Sequence, residues 1–190
     1  METFTNARPF VPNQSYEQER KKALLQLKEE LNKGSIDPPI MRLLEEIAKI
    51  PHCFTLQSCY GHFVHDKEAN LHNIVPLSKY SSEIEKVNYR IGYVAFCIQD
   101  SAAGRQLHQD LEKLTKIDPE YIQFGSADWF WERCANSYAI QVEPKRSKNT
   151  DTVWIGFDEA LYLEKLKSQF FKALLEIVLK HQDLTNRCVN

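Results

Sequence analysis

The sequence predicts the α+β class: one domain with a mixed sheet, helices packed on it, and a long amphipathic C-terminal helix. Three observations predict it. Apolar residues recur at helical spacing near both ends of the chain. Short apolar runs rich in β-branched and aromatic residues fill the middle. The resulting order is helix, helix, strand, strand, helix, strand, strand, helix, a pattern of helices laid on a sheet. At 190 residues, 43% hydrophobic and 26% charged, the chain suits one core and is small for two.

Residues 1–14 contain Pro9 and Pro12 without periodicity and read as an extended arm. Ser15 is placed to cap a first helix running to about Lys33, with Ala23, Leu24, Leu27 and Leu31 forming its apolar stripe. Gly34 ends it. Asp37-Pro38-Pro39 opens a second helix whose inner face is Ile40, Leu43, Leu44 and Ile47, and Pro51 stops it. A strand and turn occupy 53–65, and a polar connection over 66–89 follows. Arg90–Gln99 is nearly continuously apolar and predicts a central strand covered on both faces. Asp100-Ser101 caps a helix bearing Leu107, Leu111 and Leu114. Strands are expected at Tyr121–Phe124, Ser137–Val142 and Val153–Ile155. A helix over about 158–180, with Leu161, Leu166, Phe170, Leu174, Ile177 and Val178 on one face, closes a domain spanning 15–183. Residues 184–190 read as a tail.

No apolar run is long enough for a membrane helix, and the first residues lack the basic-then-apolar pattern of a secretion signal. Five irregularly spaced cysteines then read as reduced thiols of a cytoplasmic protein. The formal net charge of −2 gives no bulk attraction to nucleic acid, so any phosphate contact needs a local patch. Arg90, Arg105, Lys145, Arg146 and Lys148 are the candidates for such contacts.

The segment Gln57-Ser58-Cys59-Tyr60-Gly61-His62 is the strongest functional candidate. It presents a hydroxyl, a thiol and an imidazole at the end of a strand, where ligands commonly bind. Cys59 reads either as a nucleophile, given a nearby cation, or as a small residue packed in a turn. Gly61 reads as a backbone solution, since no dinucleotide fingerprint or phosphate-binding loop surrounds it. Cys53, Cys59, His62, His65, Asp66 and His72 are metal-ligand types, but their spacing matches no zinc motif and no metal is expected. A zinc hydrolase around Cys59, His62 and His65 is the weakest alternative. Trp129, Phe130, Trp131 and Arg133 form the densest aromatic cluster, suited to stacking on unpaired bases or to packing. Asp128 and Glu132, four apart, share a helical face and offer acid-base chemistry or an exposed helical turn.

Residues from about Lys33 to Glu143 resemble the wybutosine-synthesising protein 3 family, the tRNA 4-demethylwyosine N4-methyltransferases. The resemblance rests on Lys33-Gly34-Ser35-Ile36-Asp37, on Phe54 to His62, on Tyr93 to Ala103, and on Ser137 to Val142. In the middle motif Ser58, Cys59 and Gly61 match the family's residues, while Gln57, Tyr60 and His62 stand where the family has Ser, Ser and Arg. The family's Lys-Trp and Ser-His-Asp segments are absent between 66 and 90. The resemblance implies an α+β domain that uses S-adenosylmethionine to methylate a modified guanosine in tRNA.

On that footing, Ser58, Cys59, Gly61 and Arg90 are assigned to the cofactor, and Trp129, Trp131 and Arg133 to a base of tRNA or another RNA. His62 and Asp128 are the candidates to take the proton. The alternative is a non-catalytic ligand-binding or protein/RNA-interaction domain on the same fold.

Overall fold

The computed structural model describes residues 4–66, 70–80, 84–147 and 150–187; Lys148 of the expected basic loop lies outside them. The class is α+β, with two antiparallel sheets in place of one mixed sheet. The elements are β1 (Phe4–Thr5), α1 (Tyr16–Lys33), α2 (Met41–Ala48), β2 (Cys53–Cys59), β3 (His62–Val64), β4 (Lys86–Arg90), β5 (Gly92–Ile98), α3 (Ala102–Glu112), β6 (Ile122–Ala127), α4 (Asp128–Arg133), β7 (Ser137–Val142), β8 (Thr152–Gly156) and α5 (Phe157–Arg187). The larger sheet has the order β1-β6-β7-β5-β2, and the smaller has the order β3-β4-β8. β5 and β6 both run antiparallel to the intervening β7, so β5-α3-β6 is a split crossover between parallel strands.

The helix limits follow local chemistry. Gly34 takes a left-handed conformation and its amide closes the end of α1. Ser101 caps α3 by accepting the Gly104 amide at 3.1 Å. Ser15 does not cap α1: its hydroxyl donates to Asn13 Oδ1 at 2.9 Å. The Pro38–Ile40 segment is a single 3-10 turn leading into α2. Part of the N-terminal arm pairs with the sheet, through Phe4 opposite Ala127.

The expected strand Arg90–Gln99 divides at Ile91. Arg90 ends β4 of the smaller sheet, and Gly92 begins β5 of the larger. The chain also passes from larger to smaller sheet at Tyr60-Gly61, between β2 and β3. The two passages touch. A Cβ on Gly61 would lie 2.8 Å from the Gly92 amide nitrogen, and one on Gly92 would lie 2.8 Å from the Tyr60 carbonyl oxygen. Gly61 also has φ +86°, a conformation L side chains rarely adopt. The buried Tyr89 hydroxyl clamps this junction, accepting from the Gly92 amide and donating to the Val142 carbonyl.

The main core lies between the sheets and the inner faces of α2, α3 and α5. Leu44, Ile47, Val94, Phe96, Leu107, Ile140, Leu163, Phe170 and Leu174 are almost fully buried there. Each such side chain contributes on the order of 1.5–3 kcal/mol by leaving water. Arg20 ties α1 to the end of α2 by donating to the Ala48 and Ile50 carbonyls, both at 3.1 Å.

Candidate functional site

Asp37 is the residue that organises the 57–62 segment. Its carboxylate leaves the turn before α2 and accepts the Tyr60 amide at 2.8 Å. The same oxygen, Oδ2, lies 3.2 Å from His62 Nε2. The other ring nitrogen of His62, Nδ1, lies 3.2 Å from the Asn73 carbonyl oxygen. A carbonyl can only accept, so Nδ1 carries a proton. Burial works against charging this nearly inaccessible imidazole, but Asp37 and the neighbouring Cys59 sulfur prevail, and its pKa is raised to about 9. Asp37 is shifted in the complementary sense. Its partial burial raises the pKa, but the His62 hydrogen bond and the Tyr60 amide outweigh this and hold the carboxyl below its ordinary range. His62 is therefore a buried imidazolium at neutral pH, and it is not placed to remove a proton from a substrate.

Beneath the turn, Lys167 of α5 donates to the Gly61 carbonyl at 2.7 Å. Its ammonium sits 4.0 Å from the Tyr60 ring centre and 4.8 Å from that of Phe63. Burial lowers its pKa to about 8. Cys59 is buried, and its sulfur accepts the Gly61 amide at 3.4 Å, as a residue packed in a turn does.

Asp37 also faces an open cleft of about 610 Å3 between α1, the turn before α2, and β2. Ser35, Asp37, Gln57, Ser58 and Arg133 line it, with Leu27, Phe54 and Leu56 as apolar wall. Among the described residues β2 is an edge strand, so this wall includes backbone groups with no sheet partner among them on that side. A bulge in the β2–β5 register between Thr55 and Gln57 changes the alternation just before Gln57 and Ser58.

The structure brings some of the expected residues together and separates others. Ser58 and Arg133 share the cleft, and Arg133 lies over the Trp129 ring at 5.3 Å, with Trp129 exposed. Arg90 stands opposite His62 in the β3–β4 ladder. Asp128 and Trp131 instead form the seat of the N-terminal arm: the Arg8 guanidinium is ion-paired to Asp128 and lies 5.3 Å from the Trp131 ring. Trp131 also packs edge-on against Tyr138. Arg105, Lys145 and Arg146 are committed to ion pairs with Asp100, Glu120 and Glu159. His65 packs against Tyr80, with ring centres 4.4 Å apart.

Sequence reading did not single out Lys167 or Asn73. Nothing in the sequence marks a lysine on a long amphipathic helix as buried, nor a backbone carbonyl as the partner of a histidine. Asp37 had a local signal, the lysine-glycine-x-isoleucine-aspartate segment.

No family model matches the chain, and no curated protein matches it. Two solved structures of the PH1069 protein from Pyrococcus horikoshii do. One is 17% identical, with a TM-score of 0.53 over 91% of this chain and 95% of that chain. The other, from Pyrococcus horikoshii OT3, is 16% identical, with a TM-score of 0.50 over 92% and 95%. At that identity the likeness shows a shared fold alone. Among the described residues, no helix is long and apolar enough to cross a membrane.

Proposed function

We propose that this chain is an S-adenosylmethionine-dependent methyltransferase of RNA modification, acting on a base of tRNA or another RNA in the cytoplasm. The observation that carries the reading is the meeting of two of the segments on which the family resemblance rests. Asp37 of the first is hydrogen-bonded to Tyr60 and His62 of the second, and both segments line one cleft. Its volume falls within the range of small-molecule sites.

The chemistry of the cleft suits the donor. Glu30 places a carboxylate at it, favourable for a sulfonium or an ammonium, while Glu19 is paired with Lys22 and Asp37 with His62. Leu56 offers partly exposed apolar surface to an adenine, and β2, an edge strand among the described residues, offers backbone donors and acceptors. Arg133 at the cleft, with the exposed Trp129 ring next to it, supplies a stacking surface for the acceptor base. S-adenosylmethionine bound there would supply a methyl group to a substrate nitrogen, its sulfur keeping the electron pair of the broken bond. The substrate proton passes to solvent through the open cleft, because His62 is already protonated and Asp128 is bound to Arg8. The protein contributes positioning.

The test is incubation with S-adenosylmethionine carrying a labelled methyl group and tRNA lacking the modification. Label entering RNA, and lost in Ser58→Ala or Arg133→Ala, supports the reading; no label together with no donor binding contradicts it. The commitment of His62 to Asp37 favours one alternative, a non-catalytic binding domain on the same fold. That alternative predicts no turnover, and loss of partner capture in Trp129→Ala.

A further inference from the structure

The Asp37–His62 pair has a third member. His72, from the connection between β3 and β4, brings its ring edge-on to His62 with centres 5.5 Å apart. One ligand atom from each of Asp37, His62 and His72 lies within 4.8 Å of the other two. We propose that these three residues form a binding site for one divalent transition-metal cation of the zinc type, completed by solvent.

Four features carry this. The donor set of two imidazoles and a carboxylate is one that zinc accepts, and three protein ligands leave a fourth position for water. His62 is oriented as a ligand is: Nδ1–H is held by the Asn73 carbonyl, so Nε2 is directed at Asp37, and a cation bound there takes the place of the Nε2 proton, which is released to solvent. The 3.2 Å between His62 Nε2 and Asp37 Oδ2 fits a cation about 2.1 Å from each at an angle of roughly 100°, close to tetrahedral. Asp37 itself is oriented by the Tyr60 amide. Two of the ligands are thus fixed by the fold, and the third is exposed, on the side from which an ion enters.

The ligands come from three separate places in the chain, 25 and 10 residues apart in sequence order, so spacing conceals the set. It differs from the combination of Cys59, His62 and His65 that spacing suggests, because His65 is packed against Tyr80.

The experiment uses the full chain, stripped with a chelator, and titrates zinc and then cobalt at neutral pH. The expected result is one zinc per chain by elemental analysis. Cobalt should give visible tetrahedral absorption without an ultraviolet sulfur-to-metal band. His72→Ala, an exposed position, should keep the metal-free melting temperature and weaken binding at least about tenfold. Three results would overturn the proposal: no zinc retained at a hundred micromolar, binding unchanged in His72→Ala, or a cobalt spectrum with thiolate character, which would place the ion on cysteines. The readout is metal binding itself and stands apart from methyl transfer.

Discussion

Asp37 Oδ2 accepts two hydrogen bonds, from the Tyr60 amide at 2.8 Å and from the His62 imidazole at 3.2 Å. One carboxylate thereby ties the turn ahead of α2 to the place where the chain crosses from the larger sheet to the smaller. Replacing it by Asn leaves an oxygen for one donor but removes the charge that balances a buried imidazolium. Asp37→Asn should cost about 2 kcal/mol in urea unfolding of metal-free protein, and the His62 pKa should fall, as read by NMR titration of its ring. Unchanged stability would show that the carboxylate is not the tie.

The Gly61–Gly92 contact leaves no room for a side chain on either strand passage. Gly61→Ala places a methyl group 2.8 Å from the Gly92 nitrogen, against backbone, at a φ of +86°. A loss of about 2–3 kcal/mol is expected in denaturant titration. Gly34→Ala meets no neighbouring atom, so only its left-handed φ is penalised and its loss should be smaller.

Lys167 supports the same turn from below. Lys167→Met keeps an unbranched apolar chain but removes the ammonium from the Gly61 carbonyl and from the faces of the Tyr60 and Phe63 rings. The expected cost is about 1–3 kcal/mol. Amide exchange should quicken at Tyr60 to His62 and stay unchanged in α3.

Acid should destabilise the protein in two stages. Burial, with the nearby His181 and Arg20, lowers the pKa of His52 to about 4, and burial also lowers that of His181. Both groups have folded values below the unfolded one. Their contribution is present above about pH 6.5 and is lost as pH falls toward 4. Asp110 follows. Burial opposes its ionisation, but Lys113, Lys180 and His181 outweigh this and hold the carboxyl well below its usual range. Its contribution is present above about pH 4 and disappears in stronger acid. Melting temperature against pH should fall in both windows. His52→Phe should flatten the first and Asp110→Asn the second; a wild-type curve flat from pH 7 to 4 would contradict the first assignment.

The amphipathic helices were legible because their signals are local: the leucines of α1 and α3, Gly34 and Ser101 act within a turn of where they stand. The division of one apolar run into β4 and β5 at Ile91 was hidden, because both halves are buried and a sheet change leaves no mark on hydrophobicity. The site was legible in part. Ser58 and Arg133 reach a common cleft, whereas Asp128 and Trp131 are claimed by Arg8 from 120 and 123 residues away. Such long-range partners are invisible to spacing. So is the environment that makes His62 a cation, since it requires Asp37 and Asn73 to arrive from two other segments.

The most direct test of the proposed function is calorimetric titration of the purified chain with S-adenosylmethionine. The account predicts binding at micromolar strength, weakened at least tenfold by Ser58→Ala with the melting temperature of the free protein unchanged. Absence of both heat and thermal shift at millimolar donor would contradict it, leaving the family resemblance as one of fold.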